Sequence, residues 1–514
     1  MNSAEQIEYK PENAHVYLSE EQKEYVETLK KNREEYSSEY MRPKYHFYAP
    51  IGKMNDPNGL CYWNGNWHLF YQNNVCGKGW WWGHAVSEDL IHWTDLPLAV
   101  WAEKEKECWS GMVLIEEDRA IAVYYGLNTG IMIATSSDPY LINWTKVNDG
   151  DPVIPMPEKG CEYMIFDPCI WKKGDTYCLA SGRYYIDPVS KTRVRQIFLF
   201  ESNTLTGWNY KGKFIENDLF SRSDDDASCP YFLPCGDKHV LVSFSHHSGP
   251  MIMIGDYLPD ENKFILRGGR HLTSTSSFFG GLLAPSAFPE PDGSLKLIHN
   301  ITYFNDEINP YQIMSLPRRV TLGGNDKNDV NITVAEQTEC LRIKESRVCI
   351  ENVHLEANRE YFPEECFGDV CELNFEFEAK NVPMIEIRVM MSPDSSEYTA
   401  VRIYRQRGNT YLPAFSGGFG YRSAHETVVA LDTSFSSIRG AVRVPDEQAF
   451  YLAPEEKLNV RIFLDRSIAE VFVNEKAALS ARIDPVCGSN ERISVTSRGA
   501  DLTMTSLESY KLSL

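Results

Sequence analysis

Apolar residues along most of this chain come in short runs, each broken by a turn rich in Gly, Asn or Asp. Ser19 to Tyr36 is different and reads as a helix: Ser19 and Gln22 have capping-box spacing, and Tyr25, Val26 and Leu29 form a thin apolar stripe among charges. So narrow a face predicts a peripheral helical extension over 1–40, resting on the main body or on a second subunit of a homo-oligomer. From Tyr45 onward the runs are strand-like and recur in a weak repeat of roughly 50 residues. Leu60–Trp63, Asn64-Gly65 and Trp67–Gln72 make one instance, strand, turn, strand. Trp109–Ile115 with Ala120–Tyr125, Pro168–Trp171 with Thr176–Ser181, Pro230–Leu233 with His239–Ser245, and Ala284–Phe288 with Leu295–Asn300 make the others. Most continue into a third strand and an outer segment carrying Trp93, Trp144 or Trp208. Five such units predict a five-bladed β-propeller over 41–325. The polar stretch Gly323 to Glu339 reads as a connection, placing a linker at 326–348. From Cys349 to the end, alternation with regular turn signals predicts an antiparallel β-sandwich over 349–514, so the fold class is all-β.

Composition narrows the function classes. At 514 residues with 43% hydrophobic residues, the chain has material for two or three packed domains. A net charge of -21 argues against nucleic acid or an anionic membrane as a partner and suits a neutral small-molecule or oligosaccharide substrate. The first 40 residues lack the apolar core of a secretory signal, and no run approaches a membrane span. The 13 cysteines are odd in number, scattered, and mostly inside apolar runs. Reduced core thiols and a cytoplasmic location are the expectation.

The repeat brings carboxylates together. In a propeller the innermost strands ring one axis, so residues at their starts point into one funnel. Asp56, within Met54-Asn55-Asp56-Pro57-Asn58-Gly59, holds this position in the first unit. Asp167 holds it in the third, and Asp224-Asp225-Asp226 lies there in the fourth, just ahead of Cys229-Pro230. Trp109-Ser110-Gly111 and Ala284-Pro285-Ser286 hold it in the second and fifth. Two carboxylates facing across a small polar pocket are the machinery of glycoside hydrolysis, one as nucleophile and one as general acid and base. Asp56, with rigid Pro and Gly flanks, is the candidate nucleophile. Asp167 is the candidate stabiliser of the sugar hydroxyls, and the acid/base is expected from 224–229. Asp465-Arg466-Ser467 reads as a tight turn, and the adjacent His246-His247 pair, expected on a strand, would face opposite sides and so makes no metal site. No dinucleotide or phosphate-binding loop is present, and no cofactor is expected.

These segments carry a resemblance. Met54–Gly59, Phe70-Tyr71-Gln72, Trp82-Gly83-His84-Ala85, Trp109-Ser110-Gly111, Asp167-Pro168, Cys229-Pro230, Leu316-Pro317-Arg318 and Phe463–Ser467 run in order over nearly all of the chain after residue 45. Together they resemble glycoside hydrolase family 32, the invertase, inulinase and levanase group. The resemblance implies a propeller-plus-sandwich architecture and a retaining β-fructofuranosidase acting on sucrose or short fructo-oligosaccharides. It implies Asp56 as nucleophile, Asp167 as stabiliser, and a fructosyl subsite lined by Asn55, Gln72, Trp82 and Ser110, with Trp109 beside them. Three positions depart from the family pattern: Lys53 replaces a Trp, Phe166 replaces an Arg, and Ser228 replaces the Glu expected to donate the proton. Asp226 is the first substitute for that acid, being on the same strand face as Ser228. Asp225 is the second and Glu162 a more distant third. The alternatives to hydrolysis are a fructosyltransferase, a hydrolase of an unusual fructoside, or a catalytically impaired sugar-binding homologue.

Overall fold

A computed structural model describes residues 9–75, 77–274, 280–302, 311–324, 327–380, 382–407, 426–440, 442–453 and 455–514. Five sheets follow one another along the first two thirds of the chain, antiparallel except for the short edge strand Ile215–Glu216 of the fourth, which pairs in parallel. Blade 1 comprises Lys53–Trp63, Asn66–Asn74, Trp80–Ser87 and Thr94–Val100. Blade 2 begins with Cys108–Ile115, blade 3 with Pro168–Lys173, blade 4 with Ser228–Cys235 and blade 5 with Leu282–Pro289. These five first strands close a ring: that of blade 1 packs on those of blades 2 and 5, and that of blade 3 on those of blades 2 and 4, while blades 4 and 5 also meet. The arrangement is the expected five-bladed propeller.

Each first strand is hydrogen-bonded on one side only within its blade. Proline, which has no N–H to give a ladder, is tolerated on such an edge. Pro57, Pro168, Pro230 and Pro285 all stand there, in four of the five blades. In blade 2 the place is held by Gly111, where an added Cβ would lie 1.9 Å from the Val123 carbonyl oxygen. The strand register also slips around these points, between Met54 and Pro57, Cys108 and Gly111, Ser228 and Tyr231, and Leu282 and Pro285. Bulges of this kind re-aim side chains at a sheet rim. Asp56 therefore lies inside a bulged strand rather than in a turn ahead of one. The hairpin that follows turns at Asn64-Gly65, both with positive φ (48° and 86°), as a two-residue connection requires.

The N-terminal helix is Glu20–Ser37 with its capping box formed between Ser19 and Gln22. Leu29 is buried, and Arg33 clamps Asp95 of blade 1 through two hydrogen bonds of 2.6 and 2.8 Å. The expected linker 326–348 requires correction. Asp329–Val334 pairs with Arg318–Gly323 as an outer strand of blade 5, and two short 3-10 turns then lead to the strand Val348–Leu355.

The C-terminal module is a sandwich of two antiparallel sheets with six strands each among the described residues. Its two inner faces share one apolar core. Phe463, Phe472 and Ala478 of the sandwich also belong to the propeller core, so the modules are joined by continuous packing.

Candidate active site

The bulged starts of the inner strands surround a cavity of about 440 Å³. Its wall includes Asn55, Asp56, Gln72, Trp109, Asp167, Ser228, Cys229 and His246. Asp56 Oδ2 accepts a 2.7 Å hydrogen bond from the Ser110 hydroxyl. Burial pushes its carboxyl above the ordinary range, and Ser110, the Cys229 thiol and the facing His246 pull against that. Asp167 is buried and accepts the Cys229 backbone N–H at 2.9 Å. Burial lifts it to about 6, with Asp56 adding to the lift and the Cys229 N–H opposing it. The Cys229 sulfur lies 3.5 Å from Asp56 Oδ2 and 3.4 Å from Asp167 Oδ2, so one residue joins the two carboxylates. Cys229 holds φ at 48°, a strained conformation for a non-glycine residue.

The polar side of the cavity is a chain of amides. Gln72 donates to Ser110 at 2.7 Å and accepts from Asn55 at 3.0 Å. Asn55 accepts in turn from Gln312 at 2.8 Å. This network brings Asn55, Gln72 and Ser110 to one wall and adds Gln312, which lay outside every recognised motif. Trp109 reaches the cavity with its indole nitrogen held by Glu107 at 2.7 Å. Trp82 does not reach it. Its side chain is fully buried among Phe70, Val100, Cys108 and Tyr124, with its nitrogen bonded to the Trp109 carbonyl at 2.8 Å. Trp80, two residues earlier on the same strand, lines the cavity instead.

The 224–229 segment differs most from expectation. Asp226 is an ion-pair carboxylate. Arg183 Nε donates to it at 2.8 Å and Arg183 Nη2 makes a second, shorter contact. The backbone N–H and Nδ1 of His246 also reach it, each at 2.9 Å. Burial works to raise Asp226, but His246 and Arg183 outweigh it and hold the group down at about 2. A carboxylate so held is an anion at neutral pH and has no proton to give. Asp225 is buried and occupied by the Ser245 and Ser248 hydroxyls and the Arg222 N–H. Glu162 is exposed and away from the cavity wall. His246 and His247 lie in the turn after the strand Lys238–Ser245, not on it. That turn carries His246 to the cavity.

Comparison with known proteins gives the family. The model for the glycosyl hydrolases family 32 N-terminal domain matches residues 46–333, and that for the family's C-terminal domain matches 341–511. The chain belongs to glycosyl hydrolase family 32. The family 32 relatives include a β-fructofuranosidase (insoluble isoenzyme 1) of Daucus carota, 25% identical over 92% of this chain and 89% of its own. A sucrose-6-phosphate hydrolase of Zymomonas mobilis is 26% identical over 87% of this chain and 88% of its own. Among solved structures, fructan 1-exohydrolase IIa from Cichorium intybus superposes with a TM-score of 0.77, covering 92% of this chain and 98% of that one at 21% identity. That likeness shows the fold. As a member of family 32 the chain is a glycosidase.

Proposed function

We propose that this glycosidase removes terminal β-D-fructofuranosyl units from sucrose or short fructo-oligosaccharides by retaining double displacement. The observation that carries the reading is the pair of carboxylates, half-buried Asp56 and buried Asp167, joined by Cys229 at the wall of one small cavity. Asp56 acts as nucleophile, with the Ser110 hydroxyl holding one of its oxygens. Asp167 binds ring hydroxyls and, ionised, steadies the positive charge that develops on the sugar. Asn55, Gln72, Gln312 and Trp109 bind the fructosyl ring. The relatives named β-fructofuranosidase and sucrose-6-phosphate hydrolase support the fructosyl substrate.

The twelve described cysteines are all unpaired thiols, which supports a reducing compartment such as the cytoplasm. No helix among the described residues is long and apolar enough to cross a membrane.

Incubation with sucrose, kestose, inulin and levan tests the reading. Release of fructose, first seen as the β anomer, and its abolition in Asp56→Asn are expected. Absence of free fructose from all four sugars ends it. Product analysis at high sucrose separates hydrolysis from fructosyl transfer.

A further inference from the structure

The proposed reaction needs a proton donor, and the position where family 32 carries a glutamate holds Ser228. Among the described residues at the cavity wall, the side chains able to exchange a proton are Lys53, Asp56, Asp167, Cys229 and His246. Asp56 and Asp167 are committed to the fructosyl ring. Cys229 is buried between those two carboxylates, and burial followed by their charge drives its thiol well above the ordinary range. Lys53 lies on the blade 1 strand, on the Asp56 side, whereas the missing glutamate belongs to blade 4.

His246 is on blade 4. Ser228 pairs in register with Phe244, two residues before His246, and the Ser228 hydroxyl lies 3.4 Å from His246 Nδ1. The imidazole thus stands beside the space that the shortened side chain leaves. Its orientation is enforced. Asp226 accepts from the His246 backbone N–H and faces Nδ1 with its second oxygen, both at 2.9 Å. Arg183 Nη2 is also 2.9 Å from Nδ1, so this nitrogen either donates to Asp226 or accepts from Arg183, and in both cases it is held on the side away from the cavity's open space. The ring packs 4.9 Å from the Phe244 ring, and its side chain is 40% exposed. Nε2 has no hydrogen bond to protein among the described residues. A carboxylate on one nitrogen and open space at the other is how a histidine is set for proton transfer.

We propose that His246 is the general acid/base of this site, with Asp226 and Arg183 as its positioning residues. The inference rests on the fructosidase reading above. In the first step the Asp56 carboxylate forms an ester bond to the anomeric carbon of fructose. The glycosidic C–O bond breaks, and the Nε2 proton passes to the departing oxygen. In the second step water attacks the same carbon, Nε2 takes a proton from it, and Asp56 leaves as carboxylate. No oxidant, reductant or metal enters the balance. The charged groups facing the imidazole are Asp226, Arg183 and Asp56, from blades 4, 3 and 1, with Asp167 on the same cavity wall.

The test compares sucrose with 4-nitrophenyl β-D-fructofuranoside, whose leaving group departs without a proton. His246→Gln is expected to lose about 10²–10⁴-fold in kcat/KM on sucrose, and far less on the nitrophenyl substrate. The alkaline limb of the sucrose pH profile disappears in the same variant. Azide restores turnover of His246→Ala and yields a β-fructosyl azide. Asp226→Asn splits the two substrates in the same direction, to a smaller extent. Equal losses on both substrates, or sucrose hydrolysis by His246→Gln with an unchanged pH profile, overturn the assignment and leave the fructosidase reading intact. A wild-type protein that turns over neither substrate removes both.

Discussion

Ser110 decides how easily Asp56 stays ionised. Its hydroxyl hydrogen bond favours the carboxylate against burial. Loss of a hydrogen bond to a charged group costs about 1.5–3 kcal/mol, and here it is the ionised form that loses it. Ser110→Ala is therefore expected to move the acid limb of kcat/KM upward, as a pH profile on sucrose measures. In the wild type the limb is expected to belong to the Asp56–Asp167 pair, and with Asp167 lifted to about 6 activity is expected to fall as the pH drops through that value. At this scale the sequence was informative where backbone chemistry marks a position. Asp56 and Asp167, each directly before a Pro, are at the cavity, and so are Asn55, Gln72 and Ser110, to which the family resemblance rather than backbone chemistry pointed. Depth along a strand was not legible. Trp82 and Trp80 share a face, and packing against Tyr124 buries the first and leaves the second at the wall. Nor was charge pairing across blades: Asp226 is neutralised by Arg183, 43 residues away, and no local pattern foretells that.

Among the elements, the inner strand of blade 4 does the most joining. The Tyr231 hydroxyl accepts from the Gly59 N–H of blade 1 at 2.9 Å and donates to the Gly111 carbonyl of blade 2 at 3.0 Å. It also lies 2.8 Å from the Ser286 hydroxyl of blade 5, which itself accepts the Leu60 N–H. Tyr231→Phe leaves buried polar groups of three other blades without this partner. It is expected to cost about 1–3 kcal/mol, seen as a lower melting temperature. The outer turns are repetitive too. Asp89 and Asp138 each accept several backbone N–H groups after a Ser two residues earlier. Trp144 and Trp208 each bond the carbonyl three residues back. That recurrence supports the repeat in the first three blades, while the strand–turn–strand pattern made all five countable from sequence. Asp329–Val334 escaped notice because only Val330, Ile332 and Val334 turn inward while Asn331 and Thr333 lie at the surface, so an outer strand reads as polar.

For the molecule as a whole, a buried clamp holds the sandwich to the first blade and the fifth. Asp465 accepts the backbone N–H groups of Lys44, Tyr45 and His46, and the His46 ring bridges Asp465 at 2.8 Å and Glu470 at 3.0 Å. Glu470 also takes the Leu316 N–H and pairs with Arg318. Burial opposes charge on His46, yet Asp465 and Glu470 raise it from 6.5 to about 9. A raised histidine stabilises fully below its ordinary value, so this contribution is lost as the pH climbs from 6.5 through about 9. Glu470, which burial would lift but His46 and Arg318 hold at about 2, adds stability above 4.5 that fades as the pH falls toward 2. Thermal melts across this range are expected to plateau between those windows. His46→Gln is expected to flatten the alkaline decline and to cost about 3–5 kcal/mol. The Asp465-Arg466-Ser467 turn was legible from sequence, but its grip on residues 44–46, over 400 positions away, was not. One consequence follows from Tyr231, which closes the axis two residues past Cys229. The cavity is a cul-de-sac. A fructan chain cannot thread through it, so after each cut the shortened polymer must withdraw before water arrives by the same mouth. On a fructan the site is therefore expected to work distributively, one unit per encounter, with chains of intermediate length accumulating in a time course of products, and whatever molecule next stands at that mouth decides the fate of the enzyme-bound sugar.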